Sequence, residues 1–227
     1  MRERILKWSE RTETVLVLVL AFGTAIPRSL YTLLFPAQAF SRSAPPINGP
    51  HLLWTLAYEI AVGVVLALFL RIRGWTWKRL GLEPQWRDPL WALVLLFVTY
   101  TAYYLLSLAV VSVWPGFYQL AVNTHLVATH IGWPILTAIS ILNPVFEEVL
   151  LCGYVVAALK DKAGAGVAIN VSAGIRLLCH LYQGPVGVMS LVPEGLVFAT
   201  WFARTGRLWP LILAHALQDL LGLLYGR

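Results

Sequence analysis

Five ionisable residues stand in helical stretches that are otherwise strongly apolar. Glu147 and Glu148 fall in NPVFEEVLLCGY, His180 ends AGIRLLCH, and His215 and Asp219 lie in WPLILAHALQD. A carboxylate or imidazole at membrane depth is costly unless paired or solvated, so such residues mark a site by default. Carboxylates can serve as general bases, and imidazoles can hold a water or donate to a developing anion. The set therefore suits water activation. Helix geometry limits how the groups meet. Neighbouring residues point about 100° apart, so Glu147 and Glu148 are expected to face different ways, one to a cavity and one to a neighbouring helix. His215 and Asp219 are four apart and share a face, as do Arg176 and His180. His180 falls nearer the outer end of its stretch than His215 does, so tilt or a broken helix must bring them level.

The elements carrying these residues are membrane spans. The chain of 227 residues is 59% hydrophobic and only 12% charged, where a soluble domain is about 25% charged. A span needs about 20 mostly apolar residues. The expected architecture is all-α and polytopic, with about seven transmembrane helices: Thr14–Phe35, His51–Leu70, Pro89–Val113, Trp133–Leu159, Val167–Tyr182, Val186–Ala203 and Leu208–Tyr225. Residues 1–13 read as an interfacial segment with no small-residue cleavage site after the first apolar run, and 114–132 as a mixed linker. The organisation expected is 1–132, an N-terminal segment with three spans, followed by 133–227, a C-terminal four-helix catalytic core, together one integral membrane unit. With the N-terminus in the cytoplasm, 13 of 17 basic residues fall inside, Arg42 and Arg227 fall outside, and Arg28 and Arg176 are intramembrane. This is the expected bias for a multi-pass plasma (inner) membrane protein. The net charge of +6 is read as topological, with the lipid bilayer rather than nucleic acid as the partner.

EEVLLCGY, RLLCHLYQG and RTGRLWPLILAHALQD resemble the three motifs of the CAAX protease and bacteriocin-processing (CPBP, or Abi) family of intramembrane proteases, over roughly residues 133–225. That family carries Glu-Glu-x3-Arg, Phe-x3-His and His-x3-Asn/Asp on successive helices. The resemblance implies a glutamate-dependent peptidase acting on a membrane-associated peptide or protein. Glu147 would be the base that activates water, with His180 on the same water. His215 and Asp219 would stabilise the oxyanion, and Glu148 would play a supporting part. Two positions depart from the pattern: Cys152 replaces the arginine and Arg176 replaces the phenylalanine. One hypothesis joins them. Arg176 supplies the cation that Cys152 lacks, because a buried carboxylate without a partner tends to protonate and stop acting as a base.

Two histidines and a carboxylate can bind Zn²⁺ with a position open for water, and Glu147, His180 and His215 would be that set. HExxH is absent, and the metal-free mechanism is favoured, with no cofactor expected and zinc as the alternative. A non-catalytic scaffold or immunity protein is the second function class, supported by Cys152. A proton-coupled transporter is the third, opposed by the small size and lack of an inverted repeat. Glu59 and Arg28 are read as a structural pair or cavity-lining groups, and Glu194 as a residue that could line the cavity. Cys152 and Cys179 are read as packing residues, and His51, His125 and His130 as interfacial.

Overall fold

Helix starts follow the punctuation of the sequence. Ser9 caps α1 (Glu10–Phe22), its side chain accepting from the Thr12 amide at 3.1 Å, and Asn48 does the same for α3 (Gly49–Ile72) through the His51 amide at 3.0 Å. Proline opens α3, α4 (Asp88–Val113) and α6 (Trp133–Glu148), at the one place where its missing N–H is harmless. The computed structural model describes residues 8–35, 48–123 and 131–225; Arg2, Arg4, Lys7, Arg42, His125, His130 and Arg227 lie outside them. The remaining elements are α2 (Ala25–Leu34), α5 (Gly116–Asn123), α7 (Ala157–Ala163), α8 (Ala165–His180), α9 (Gly184–Thr205) and α10 (Trp209–Tyr225). A π-helical segment, Val149–Val156, joins α6 to α7, and a 3-10 turn, Leu181–Gln183, joins α8 to α9. Among the described residues there is no strand.

The all-α expectation holds, and the span count is coarser than seven. Five helical stretches are long and apolar enough to cross a membrane: Gly49–Ile72, Asp88–Val113, Trp133–Ala163, Ala165–Gln183 and Val186–Thr205. The first expected span is broken. α1 and α2 meet at 59° across Gly23 and Thr24, and they make a sixth span only if taken together. α10 has 17 residues, short of the usual length. It packs between α4 and α6, so most of its surface meets protein. By contrast, α3 and α4 expose Val64, Val65, Leu68, Phe97, Leu105 and Leu108, as spans facing lipid should.

The segment after Glu148 is the centre of the packing. Leu150 to Val156 are all buried. Leu150, Leu151, Tyr154 and Val155 pack with Val17, Leu66, Leu70 and Trp75, while Cys152 and Val156 pack with Leu95, Phe198, Phe202, Leu208 and Leu211. One short run therefore holds both large apolar clusters together. Two loops seat α10 against it. A Cβ at Gly81 (φ 76°) would lie 2.4 Å from the Gly206 carbonyl oxygen, so the close approach needs glycine there. The Gly81 carbonyl accepts from the Leu208 amide at 3.0 Å, the Leu82 carbonyl accepts from Trp209 Nε1 at 3.0 Å, and Arg207 pairs with Asp88.

Ion pairs also gather the basic loops at one end of the bundle. Glu13 binds Arg73 at 2.5 Å, and Glu10 binds Lys162. Glu13 is buried, and it also accepts from Trp75 Nε1 at 2.8 Å and from the Tyr154 hydroxyl at 3.1 Å. It thus ties α1 to the 73–87 loop and to the π segment. Removing one partner of a buried charged network is strongly destabilising. Glu13→Ala is expected to lower stability by about 3 kcal/mol, read as a lower thermal midpoint in detergent. An unchanged midpoint would contradict this.

Candidate active site

Four helices bring their polar groups to one interior point. Glu147 and Glu148 close α6, Arg176 and His180 come from the last turns of α8, Glu194 from the middle of α9, and His215 and Asp219 from α10. Arg176 is the hub and is 1% exposed. Its Nη2 donates to Glu148 Oε1 at 2.5 Å, and its Nη1 donates to Glu194 Oε1 at 2.9 Å and to Glu147 Oε2 at 3.4 Å. Its guanidinium carbon lies 5.8 Å from the centre of the Phe198 ring. The expectation that the two glutamates part company is only half met. Their side chains leave the helix in different directions, yet the fork of one guanidinium spans both.

The two glutamates are held very differently. Glu148 is fully buried, and its Oε1 accepts from Arg176 and faces His215 Nδ1 at 2.8 Å. Glu147 has no contact that short. His180 Nε2 lies 3.5 Å from its Oε1, Arg176 3.4 Å from its Oε2, and Asn143 Nδ2 3.4 Å from its Oε1. One carboxylate is locked, and the other is ringed by polar groups at a distance that leaves its lone pairs available.

The imidazoles are oriented as well. His180 Nδ1 lies 2.8 Å from the Arg176 carbonyl oxygen. A carbonyl oxygen can only accept, so a proton sits on Nδ1, and Nε2 faces Glu147. The level mismatch expected for His180 is absorbed where α8 ends. His180 is its last residue, the chain turns through Leu181–Gln183, and Gly184 (φ 73°) starts α9. Ser29 Oγ from α2 secures that turn by accepting from the Tyr182 amide at 3.0 Å, and the Tyr182 ring stacks on His180 with centroids 6.0 Å apart. On the other side, His215 Nε2 lies 3.6 Å from Asp219 Oδ1. Asp219 is the more open group, its side chain 28% exposed.

The polar residues outside the motifs fall into two groups. Glu194 joins the hub, and Glu59 reaches α6 by accepting from Asn143 Nδ2 at 2.7 Å. Among the described residues no ion pair joins Glu59 to Arg28. Sequence reasoning passed over Asn143, although its spacing of four from Glu147 placed both on one helix face. Cys152 and Cys179 are buried free thiols, in line with a packing role.

Donor atoms near enough to share a metal ion belong to Glu148, Glu194 and His215, all within 4.8 Å of one another; among the described residues Glu147, His180 and His215 do not converge in that way. The chemistry of the converging set does not suit a divalent cation. Glu148 Oε1 and Glu194 Oε1 both already accept from the Arg176 guanidinium, and His215 Nδ1 faces the same Glu148 oxygen. A dication there would sit against a fixed positive charge.

Fold and site together define a multi-pass helical membrane protein whose interior gathers glutamates, histidines and an arginine. Residues 128–221 match the family model described as type II CAAX prenyl endopeptidase Rce1-like. The match covers all three motifs and bears out the CPBP resemblance of this part of the chain. No curated protein and no solved structure matches the chain.

Proposed function

We propose that this chain is an intramembrane endopeptidase of the CAAX type, hydrolysing a peptide bond near the membrane with a water activated by Glu147. The supporting observation is the contrast between the two glutamates: Glu148 is fixed by partners at 2.5 and 2.8 Å, while Glu147 has its nearest partners at 3.4 to 3.5 Å and faces Nε2 of His180. A water donating to both Glu147 Oε1 and His180 Nε2 is aligned for attack. Glu147 takes its proton as the oxygen adds to the carbonyl carbon, and passes it to the amine as the C–N bond breaks. The oxyanion forms beside His215, which in its doubly protonated form donates Nδ1–H to Glu148 and Nε2–H outward. The Glu148 contact at 2.8 Å orients the ring before charge develops, and Asp219 Oδ1 stands 3.6 Å from the second nitrogen. Burial away from bulk solvent strengthens each of these interactions.

Arg176 in this reading replaces the motif arginine in function, offsetting the charge of Glu147, Glu148 and Glu194 from the neighbouring helix. The chain crosses the plasma membrane seven times with α10 as the short last span, the N-terminus lying in the cytoplasm with the basic loops. Its substrates are membrane-associated proteins with a processed tail, a prenylated CAAX tail being the first to try. A non-catalytic scaffold is the competing reading, and Cys152 in the arginine position favours it.

A farnesylated, fluorogenic CAAX peptide incubated with the protein in liposomes tests the proposal. Cleavage is expected, and it is expected to survive exhaustive treatment with EDTA and 1,10-phenanthroline, because the carboxylates a metal would need are bound to Arg176. Activity lost on chelation and restored by Zn²⁺ would overturn the metal-free mechanism. A peptide left intact under all conditions would favour the scaffold.

A further inference from the structure

We infer that Glu59, which lies outside the segment matching the endopeptidase family, is a positioning residue for Glu147 and acts through the Asn143 amide. The inference rests on the proposed role of Glu147 as the base. Asn143 Nδ2 carries two hydrogens and has two acceptors, Glu59 Oε1 at 2.7 Å and Glu147 Oε1 at 3.4 Å. The amide presents its nitrogen to both carboxyl groups, one hydrogen for each. The shorter bond to Glu59 fixes the amide plane, and the second N–H is then aimed at the Glu147 oxygen that faces His180. Otherwise Glu147 is approached only by Arg176 at 3.4 Å and by His180 Nε2 at 3.5 Å. A loosely held base needs a guide that does not neutralise it, and a neutral amide is such a guide.

A plain packing role accounts poorly for Glu59. The α3–α6 contact is already apolar on both sides of it: Leu52 and Leu56 pack with Leu136 and Ile139, and Gly63 faces Phe146. Glu59 is 93% buried, since its exposure is 7%, and its Oε2 has no hydrogen-bond partner among the described residues. A buried carboxylate with an unsatisfied oxygen is a poor helix adhesive beside a leucine of similar size.

The test uses the full chain in liposomes with the farnesylated CAAX peptide. Glu59→Leu removes the acceptor and is expected to lower kcat by about 10- to 100-fold, the scale of a misplaced reacting group, with KM within about twofold. Glu59→Gln keeps an oxygen for the Asn143 amide and is expected to retain kcat within about threefold. Asn143→Leu is expected to match Glu59→Leu, and the double variant to be no worse than either single one, because both remove the same link. Equal kcat for Glu59→Leu and wild type, or multiplicative losses in the double variant, would overturn the inference. Glu147→Gln run in parallel separates the two claims: full activity there sinks the role of Glu147, not the link. If no variant cleaves, or Glu59→Leu does not fold, difference infrared spectroscopy decides. The carboxylate band absent in Glu147→Gln should be displaced in Asn143→Leu, and an unmoved band would overturn the inference.

Discussion

Glu147→Gln is expected to lower peptide cleavage by about 10²- to 10⁴-fold while leaving expression, membrane insertion and thermal midpoint close to wild type. General-base catalysis by a positioned side chain contributes about that factor, and an amide cannot take a proton from water. The loose surroundings of Glu147 explain why the fold survives: its polar neighbours stand at 3.4 to 3.5 Å, so little binding energy is lost with the charge. Retention of both KM and fold with loss of kcat is the signature of a group acting in the transition state. Cleavage at the wild-type rate would remove Glu147 from the mechanism.

Arg176→Leu is expected to act on stability and activity together. The guanidinium is 1% exposed and offsets three buried carboxylates, Glu147, Glu148 and Glu194. Removing one partner of a buried ion pair costs about 3–5 kcal/mol, so this variant should unfold at a markedly lower temperature and show no cleavage. A second exchange tells compensation from a general need for charge. Cys152 lies four residues beyond Glu148 in the π segment, where the family pattern has its arginine. Cys152→Arg combined with Arg176→Phe moves the cation back to that position, and it is expected to recover much of the stability and a measurable part of the activity. An Arg176→Leu variant that folds and cleaves like wild type would show that the arginine does not stand in for the missing one.

What the sequence made legible followed from local rules. Apolar runs located most of the spans, and spacings of four placed His215 with Asp219 and Arg176 with His180. The bend between α1 and α2 was missed because Gly23 and Thr24 interrupt an apolar run without changing its hydropathy. The π segment was invisible because VLLCGYVV reads as ordinary helix, and only packing on two clusters reveals it. In the site, counting turns separated Glu147 from Glu148 but took no account of side-chain reach, and an arginine fork closes the gap. Glu194 and Glu59 have no local partner in the sequence. Their meetings with Arg176 and Asn143 depend on how α9 packs on α8 and α3 on α6.

Whether Glu147 drives peptide cleavage is decided by comparative terminal proteomics of membranes carrying wild type or Glu147→Gln at equal abundance, which needs no prior choice of substrate. New protein termini near membrane segments or prenylated tails are expected with wild type alone. Identical sets of termini from the two membranes would contradict this role of Glu147.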